Sequence, residues 1–307
     1  MRVLLGKTPA PSMPYTASDL LGLLQLEPLE HNLFRGLSRD LGTGRVFGGQ
    51  VLAQALVAAR RTVEDERPAH SLHGYFVLPG DLEIPVLYLV DRTRDGKSFT
   101  TRGVTAVQHG QAIFTMVASF HRPEAGLSHH TAMPDVPAPD GLRSELDLLR
   151  DRAHELPPRL RSVITQDQPL DFRPVDGLHP FEPRSQDPTR RVWVRAVGKV
   201  DDSLLSHQAI LSYASDYGLL GAALHPHGLI FRDPGVMLAS LDHAVWFHRP
   251  FRVDDWLLYV IDSPASGGAR AFSRGMFFTR EGTLVASTAQ EGLLRVKDPG
   301  QRAEPEG

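Results

Sequence analysis

The sequence predicts an α+β fold of two tandem repeats, each a long central helix wrapped by a curved, mostly antiparallel sheet. Two segments, about 50–62 and 206–224, are apolar on nearly every helical face, which places them in an interior and requires something to surround them. Each is followed by a series of strand-like runs. The halves also superimpose with a shift of about 171 residues: Pro79 falls on Pro250, Tyr88 on Tyr259 and Asp91 on Asp262, and one further residue of slip puts Arg102 on Arg274 and Gly110 on Gly282.

Taken in chain order, Ser18 is the expected N-cap of a short amphipathic helix carrying Leu20, Leu21, Leu23, Leu24 and Leu26. A glycine-rich turn, Gly42 to Gly49, leads into the first apolar helix, rich in Val51, Leu52, Ala53, Ala55 and Leu56. Strands are expected at His70–Leu78, Pro85–Val90, Phe99–Val107 and Ala112–His121, the last two joined by the turn Gln108-His109-Gly110-Gln111. In the last run Phe114, Met116, Ala118 and Phe120 share one face by the period of two. Eleven of the 24 prolines lie between positions 121 and 190, so this stretch reads as a linker, too proline-rich for a sheet, with one helical island at 142–156. The second half then repeats the pattern: strand 192–200, helix 206–224, and strands 236–247, 256–262, 269–279 and 284–296. The expected organisation is an N-terminal segment (1–26), a first domain (27–122), the linker (123–190), a second domain (191–296) and a polar tail (297–307). A sheet curled around a central apolar helix is the hotdog arrangement, and two in one chain can join their sheets and remove two exposed edges.

Composition narrows the function. With 307 residues, 41% hydrophobic and 22% charged, the chain suits a globular protein with a sizeable core. A net charge of −3 without a basic arm argues against nucleic-acid binding. There is no cysteine, which removes disulfides, thiolate metal sites and Cys nucleophiles together and is compatible with a reducing compartment. No apolar run approaches a membrane span, the N-terminal apolar stretch is too short for a signal peptide, and the C-terminus ends without a peroxisomal tripeptide; the expected location is cytoplasmic. No Gly-x-Ser-x-Gly elbow, phosphate-binding loop or dinucleotide fingerprint occurs, and the 14 histidines show no zinc-ligand spacing.

The duplication acts as an internal control: a polar residue in one half, on a face the other keeps apolar, needs its own explanation. Gln290 lies on the inward face of the last strand where the first half has about Ala118; it is either bonded to nearby backbone or kept for function. Asp216 follows Tyr213 and Ala214 in an apolar helix, where the first half offers Gly49-Gln50; it is either the N-cap of a helix that starts later or a functional carboxylate. Ser240 alone carries little signal. Asp242 and His243 are neighbours on a strand and point to opposite faces, so both are read as structural or peripheral, as is His248-Arg249.

Four segments resemble the acyl-CoA thioesterase II family: Arg45 to Ala55, His207 to Asp216, Asp242 to Phe251 and Ala286 to Gly292. The resemblance runs from about Glu27 to Val296 and implies a double hotdog. It also implies an enzyme that hydrolyses fatty acyl-CoA to fatty acid and coenzyme A with a water held by an Asp, a Thr and a Gln. Those roles fall on Asp216, Ser240 and Gln290, with Ser240 departing from the family's Thr by one methyl. The mechanism then expected has Asp216 as general base with a pKa raised by burial, Ser240 and Gln290 orienting the water, and backbone N–H groups, with Gly48 and Gly49 as candidates, stabilising the oxyanion. No metal or separate cofactor is implied, since coenzyme A belongs to the substrate, and the protein is expected to be a homo-oligomer. A double-hotdog hydratase or dehydratase and a non-catalytic acyl-CoA-binding protein are the alternatives.

Overall fold

The computed structural model describes residues 15–42, 44–64, 67–155, 161, 165–176 and 187–297. The expectations for 1–14, for the linker around 177–186 and for the tail beyond Lys297 lie outside the described residues. The first helix, α1 (Ala17–Leu24), is capped by Thr16 rather than Ser18: the Asp19 carboxylate accepts from the Thr16 N–H and hydroxyl, both at 2.8 Å. Ser18 sits inside the first turn.

Two buried helices form the centre. Helix α2 (Gly48–Arg60) buries every residue from Gly49 to Ala59. The short α3 (Glu145–Asp151), capped by Ser144, is what remains of the expected linker helix among the described residues. Helix α4 (Leu204–Ser215) buries His207 to Ser215 and packs against α2. It ends nine residues before the expected Leu224. Gly218 adopts φ +75°, and Leu220–His227 continues as a 3-10 segment.

The strands are β1 (Glu27–Glu30), β2 (Leu33–Gly36), β3 (Ala69–Phe76), β4 (Val86–Asp95), β5 (Phe99–Gln108), β6 (Gln111–His121), β7 (Leu170–Pro174), β8 (Thr189–Ala196), β9 (Val236–Ser240), β10 (Asp242–Phe247), β11 (Leu257–Gly267), β12 (Arg270–Thr279) and β13 (Leu284–Val296). All belong to one sheet ordered β1-β2-β4-β5-β6-β3-β10-β13-β12-β11-β8-β7, with β9 on β13. The antiparallel β3–β10 pairing, from Tyr75 opposite Asp242 to Ser71 opposite Trp246, fuses the two halves, so neither inner edge is exposed. This is the double hotdog.

Register confirms the duplication and corrects one equivalence. Tyr88 faces Ala106 on β4–β5, and Tyr259 faces Phe277 on β11–β12, both offset by 171 residues. The same offset equates Arg102 with Ser273, both fully buried, and not with Arg274, which is the counterpart of Gly103 opposite Asp91. The extra residue of slip enters at the following hairpins, where Gly110 and Gly282 both take positive φ. Two further expectations change, and two strands are added: β1 and β2, only four residues each, are too short to show alternation. The linker contributes β7, whose Pro174 is tolerated because β7 is an edge strand. Finally, the expected single strand 236–247 breaks at Leu241.

Candidate active site

The C-terminus of α4, the N-terminus of α2 and strands β9 and β13 converge on one cavity, with β10 paired beside β13. Asp216 is the C-cap of α4, not the N-cap of a later helix, so its side chain leaves the helix end toward the sheet. Its counterpart is therefore Arg61, the C-cap of α2, and not Gly49-Gln50. Those glycines instead lie against Asp216 itself. A Cβ on Gly48 would stand 2.7 Å from Asp216 Oδ2, and one on Gly49 would stand 2.5 Å from the Tyr213 carbonyl. Only glycine lets the two helix ends approach this closely.

Gln290, on β13 and 1% exposed, joins the pieces. Its Nε2 donates to Asp216 Oδ1 at 2.7 Å and to Ser240 Oγ at 2.9 Å. An amide NH₂ has two hydrogens, and both are spent here, on residues 74 and 50 positions away. The local alternative, a Gln bonded to nearby backbone, is not what forms. Ser240 reaches the site as the last residue of β9, paired with Gly292.

Burial sets the electrostatics. The Asp216 side chain is 6% exposed. Desolvation pushes its pKa from 3.8 up to about 6, while hydrogen bonds from Gln290, the Gly49 backbone N–H and Ser240 hold it from rising further. Helix α2 has no side chain capping its N-terminus. Its free N–H groups and the positive end of its dipole face the carboxylate.

One reading needs correction. Asp242 and His243 do face opposite ways, with Asp242 outward on His73 at 3.0 Å and on the Glu291 N–H. But His243 is not peripheral: it is fully buried, with Nδ1 3.9 Å from Asp216 Oδ1 and Nε2 2.8 Å from Ser215 Oγ. Strand periodicity alone would set Ser240 and His243, three residues apart, on opposite faces. The β9–β10 break reverses this: Ser240 pairs with Gly292 and Ala244 with Ala289, four steps on one strand against three on the other. The extra residue flips the alternation and turns both side chains inward. Nothing in the sequence announces that bulge. His248 and Arg249 bond Ser287 and the Leu284 carbonyl, a structural role.

The cavity measures about 1120 Å³ and is lined by Asp216, Ser240, Gln290 and Gly48 together with apolar groups such as Phe47, Leu149, Phe172, Tyr217, Leu220 and Leu238. Arg173 and Arg195 also line it and share the carboxylate of Asp171. Among the described residues no cluster of three or more His, Asp or Glu could hold a metal ion, and no helix is long and apolar enough to cross a membrane.

Comparison with known proteins agrees with this architecture. The family profile described as acyl-CoA thioesterase matches residues 162–293, and that of the acyl-CoA thioesterase N-terminal domain matches residues 37–121. Acyl-CoA thioesterase 2 of Haemophilus influenzae is 38% identical over 281 residues, covering 92% of this chain and 98% of that protein. Acyl-coenzyme A thioesterase 8 of Homo sapiens is 41% identical, covering 90% of this chain and 88% of that protein. The crystal structure of an acyl-CoA thioesterase II, TesB2, from Mycobacterium marinum superimposes with a TM-score of 0.75 at 42% identity, covering 91% of this chain and 99% of that one. Fold and matches define a thioester hydrolase of the double-hotdog class. Within that class, the chain belongs to the acyl-CoA thioesterase II family.

Proposed function

We propose that this protein hydrolyses fatty acyl-CoA to free fatty acid and coenzyme A by direct attack of a water held by Asp216, Ser240 and Gln290. The observation that carries the reading is the Gln290 amide, whose two N–H groups bond Asp216 and Ser240 on the wall of a largely apolar cavity. Asp216 takes a proton from water as general base; its pKa of about 6 keeps it ionised at neutral pH yet more basic than an ordinary carboxylate. Ser240 fixes the water's direction, and Gln290 holds both Ser240 and Asp216 in place for it, replacing a random encounter with a positioned one. The water oxygen bonds to the thioester carbonyl carbon, the C–S bond breaks, and the proton held by Asp216 passes to the departing thiolate. The Gly48 N–H, at the positive end of α2, suits the tetrahedral oxyanion, while the Gly49 N–H already donates to Asp216.

The apolar walls suit an acyl chain. Arg173 and Arg195, two cations against one shared carboxylate, leave positive charge for the coenzyme's phosphates. No cofactor or metal is required, because coenzyme A arrives with the substrate. Cytoplasmic location and a homo-oligomeric state complete the reading; Tyr75, Val117 and Trp246, exposed on the outer face of the fused sheet, support the latter. Sedimentation that gives a monomer would remove that part alone.

The deciding experiment follows free thiol released from palmitoyl-CoA with a thiol reagent. Asp216→Asn should slow release by about 10²–10⁴-fold. Unchanged turnover in that variant eliminates the mechanism, and no release at any chain length points to a binding protein instead.

A further inference from the structure

We infer that His243 is a positioning residue for the hydrolytic site: its Nδ1–H donates to Gln290 Oε1 and thereby fixes which way the Gln290 amide faces. The inference rests on the water-attack reading above and adds a residue to it. Two buried polar atoms in this cluster, His243 Nδ1 and Gln290 Oε1, lack a hydrogen-bond partner of standard geometry among the described residues. Both side chains reach Asp216 Oδ1, Gln290 at 2.7 Å and His243 at 3.9 Å, so the two atoms belong to one small polar nest. A buried polar atom without a partner is destabilising, and pairing these two with each other removes both penalties. Desolvation drives the His243 pKa down to about 4 and keeps the imidazole neutral, opposed first by the charge of Asp242 and then by the nearness of the Gln290 amide.

A neutral imidazole has one N–H, and Asp216 decides where it sits. A lone pair on Nδ1 would face the carboxylate oxygen at 3.9 Å, whereas an N–H there points its positive end at it. Nε2 is then the acceptor, and the Ser215 hydroxyl at 2.8 Å donates to it rather than to the Ser212 carbonyl at 2.9 Å. The chain of donors runs from Ser215 to His243 to Gln290 and ends on Asp216 and Ser240. This direction matters because an amide can flip. With its oxygen toward Asp216, Gln290 would repel the carboxylate and lose its grip on Ser240. His243 holds the oxygen on the opposite side, so the amide hydrogens stay aimed at the two groups that orient the water.

The test compares His243→Leu, which removes the donor at similar volume, with His243→Asn, whose amide N–H can stand where Nδ1–H stood. Palmitoyl-CoA hydrolysis and thermal melts are measured for both, with the wild type and Asp216→Asn alongside. His243→Leu should lower kcat about tenfold to a hundredfold with KM nearly unchanged, since the loss is one of orientation. His243→Asn should recover most of it. In a Gln290→Ala background, His243→Leu should cost no further activity, because its effect passes through the amide. Wild-type kcat in a folded His243→Leu, equal impairment of the Asn and Leu variants, or an additive loss with Gln290→Ala would each overturn the inference. If His243→Leu shows no cooperative melt, His243→Gln replaces it, its longer amide serving Ser215 but not Gln290, with the same expected loss. Full activity in Asp216→Asn would instead bring down the water-attack reading.

Discussion

The two halves share a frame but fill the same interior position in opposite ways. In the first, Arg102 and Ala118 face each other across β5 and β6; in the second, Ser273 and Gln290 face each other across β12 and β13. All four are buried. The first half sends a long cation inward from one strand and leaves the next strand small. Its guanidinium bonds the Thr62 hydroxyl and carbonyl, the Arg94 and Thr101 carbonyls and Asp95, so every polar atom there is engaged in structure. The second half keeps the first strand small and sends the amide from the next, beside a carboxylate at the end of α4 where α2 ends in Arg61. One copy closes the end of its helix with a structural plug. The other opens onto a cavity, which shows how a duplicated frame can keep its packing in one copy and specialise the other.

Exchanging residues across the repeat breaks that comparison most sharply. Gln290→Ala gives the second half the residue its twin carries; it should fold and lose about 10²–10³-fold in kcat for acyl-CoA hydrolysis, as expected when a donor that orients the reacting groups is removed. Arg102→Ala should do the reverse. Chemical denaturation should show a loss of about 3 kcal/mol, because the buried Thr62 hydroxyl and carbonyl lose their partner and the large buried side chain leaves a void, while kcat stays near wild type.

The buried carboxylate gives a smaller effect with a definite sign. Asp216 holds its proton up to about pH 6 when folded and to 3.8 in the unfolded chain. The folded state therefore binds more protons between these values. The stability this gives is fully present below 3.8 and is lost as pH rises through about 6, in total about 3 kcal/mol at 1.36 kcal/mol per pH unit. Asp216→Asn, which cannot ionise, should melt higher than wild type at pH 8 and nearly level with it at pH 3.5. The same titration should make kcat/KM fall about tenfold per pH unit below about 6. The smallest effect belongs to Ser240→Thr. The hydroxyl that accepts from Gln290 is kept and one methyl is added, so kcat should stay within about threefold of wild type, read by the same thiol assay.

Much of this was legible in the chain. Helices apolar all round announced their burial, the 171-residue offset announced the duplication, and Gln290 stood out because its twin position holds Ala118. The limits were equally physical. The 3.6-residue pattern of α4 runs on through Leu219 and Leu220 and gives no sign that the helix stops at Ser215, so Asp216 looked like a helix interior or a start rather than a C-cap. Strands β1 and β2 are too short to display a period. The linker's prolines hid β7, since an edge strand can end on one.

Periodicity, composition and repetition are properties of a single chain, so the sequence by itself marked two buried helices, a duplicated sheet and the two out-of-place polar residues Asp216 and Gln290, while Ser240 was reached only through the family resemblance. The direction in which a residue points across a strand break is not such a property. Whether His243 faces solvent or Asp216 depends on one extra residue between Ser240 and Ala244, and that count exists only once β13 supplies the partner strand. The tertiary structure likewise decided that the glycines of α2 abut Asp216, because helix ends distant in sequence meet only when the core forms.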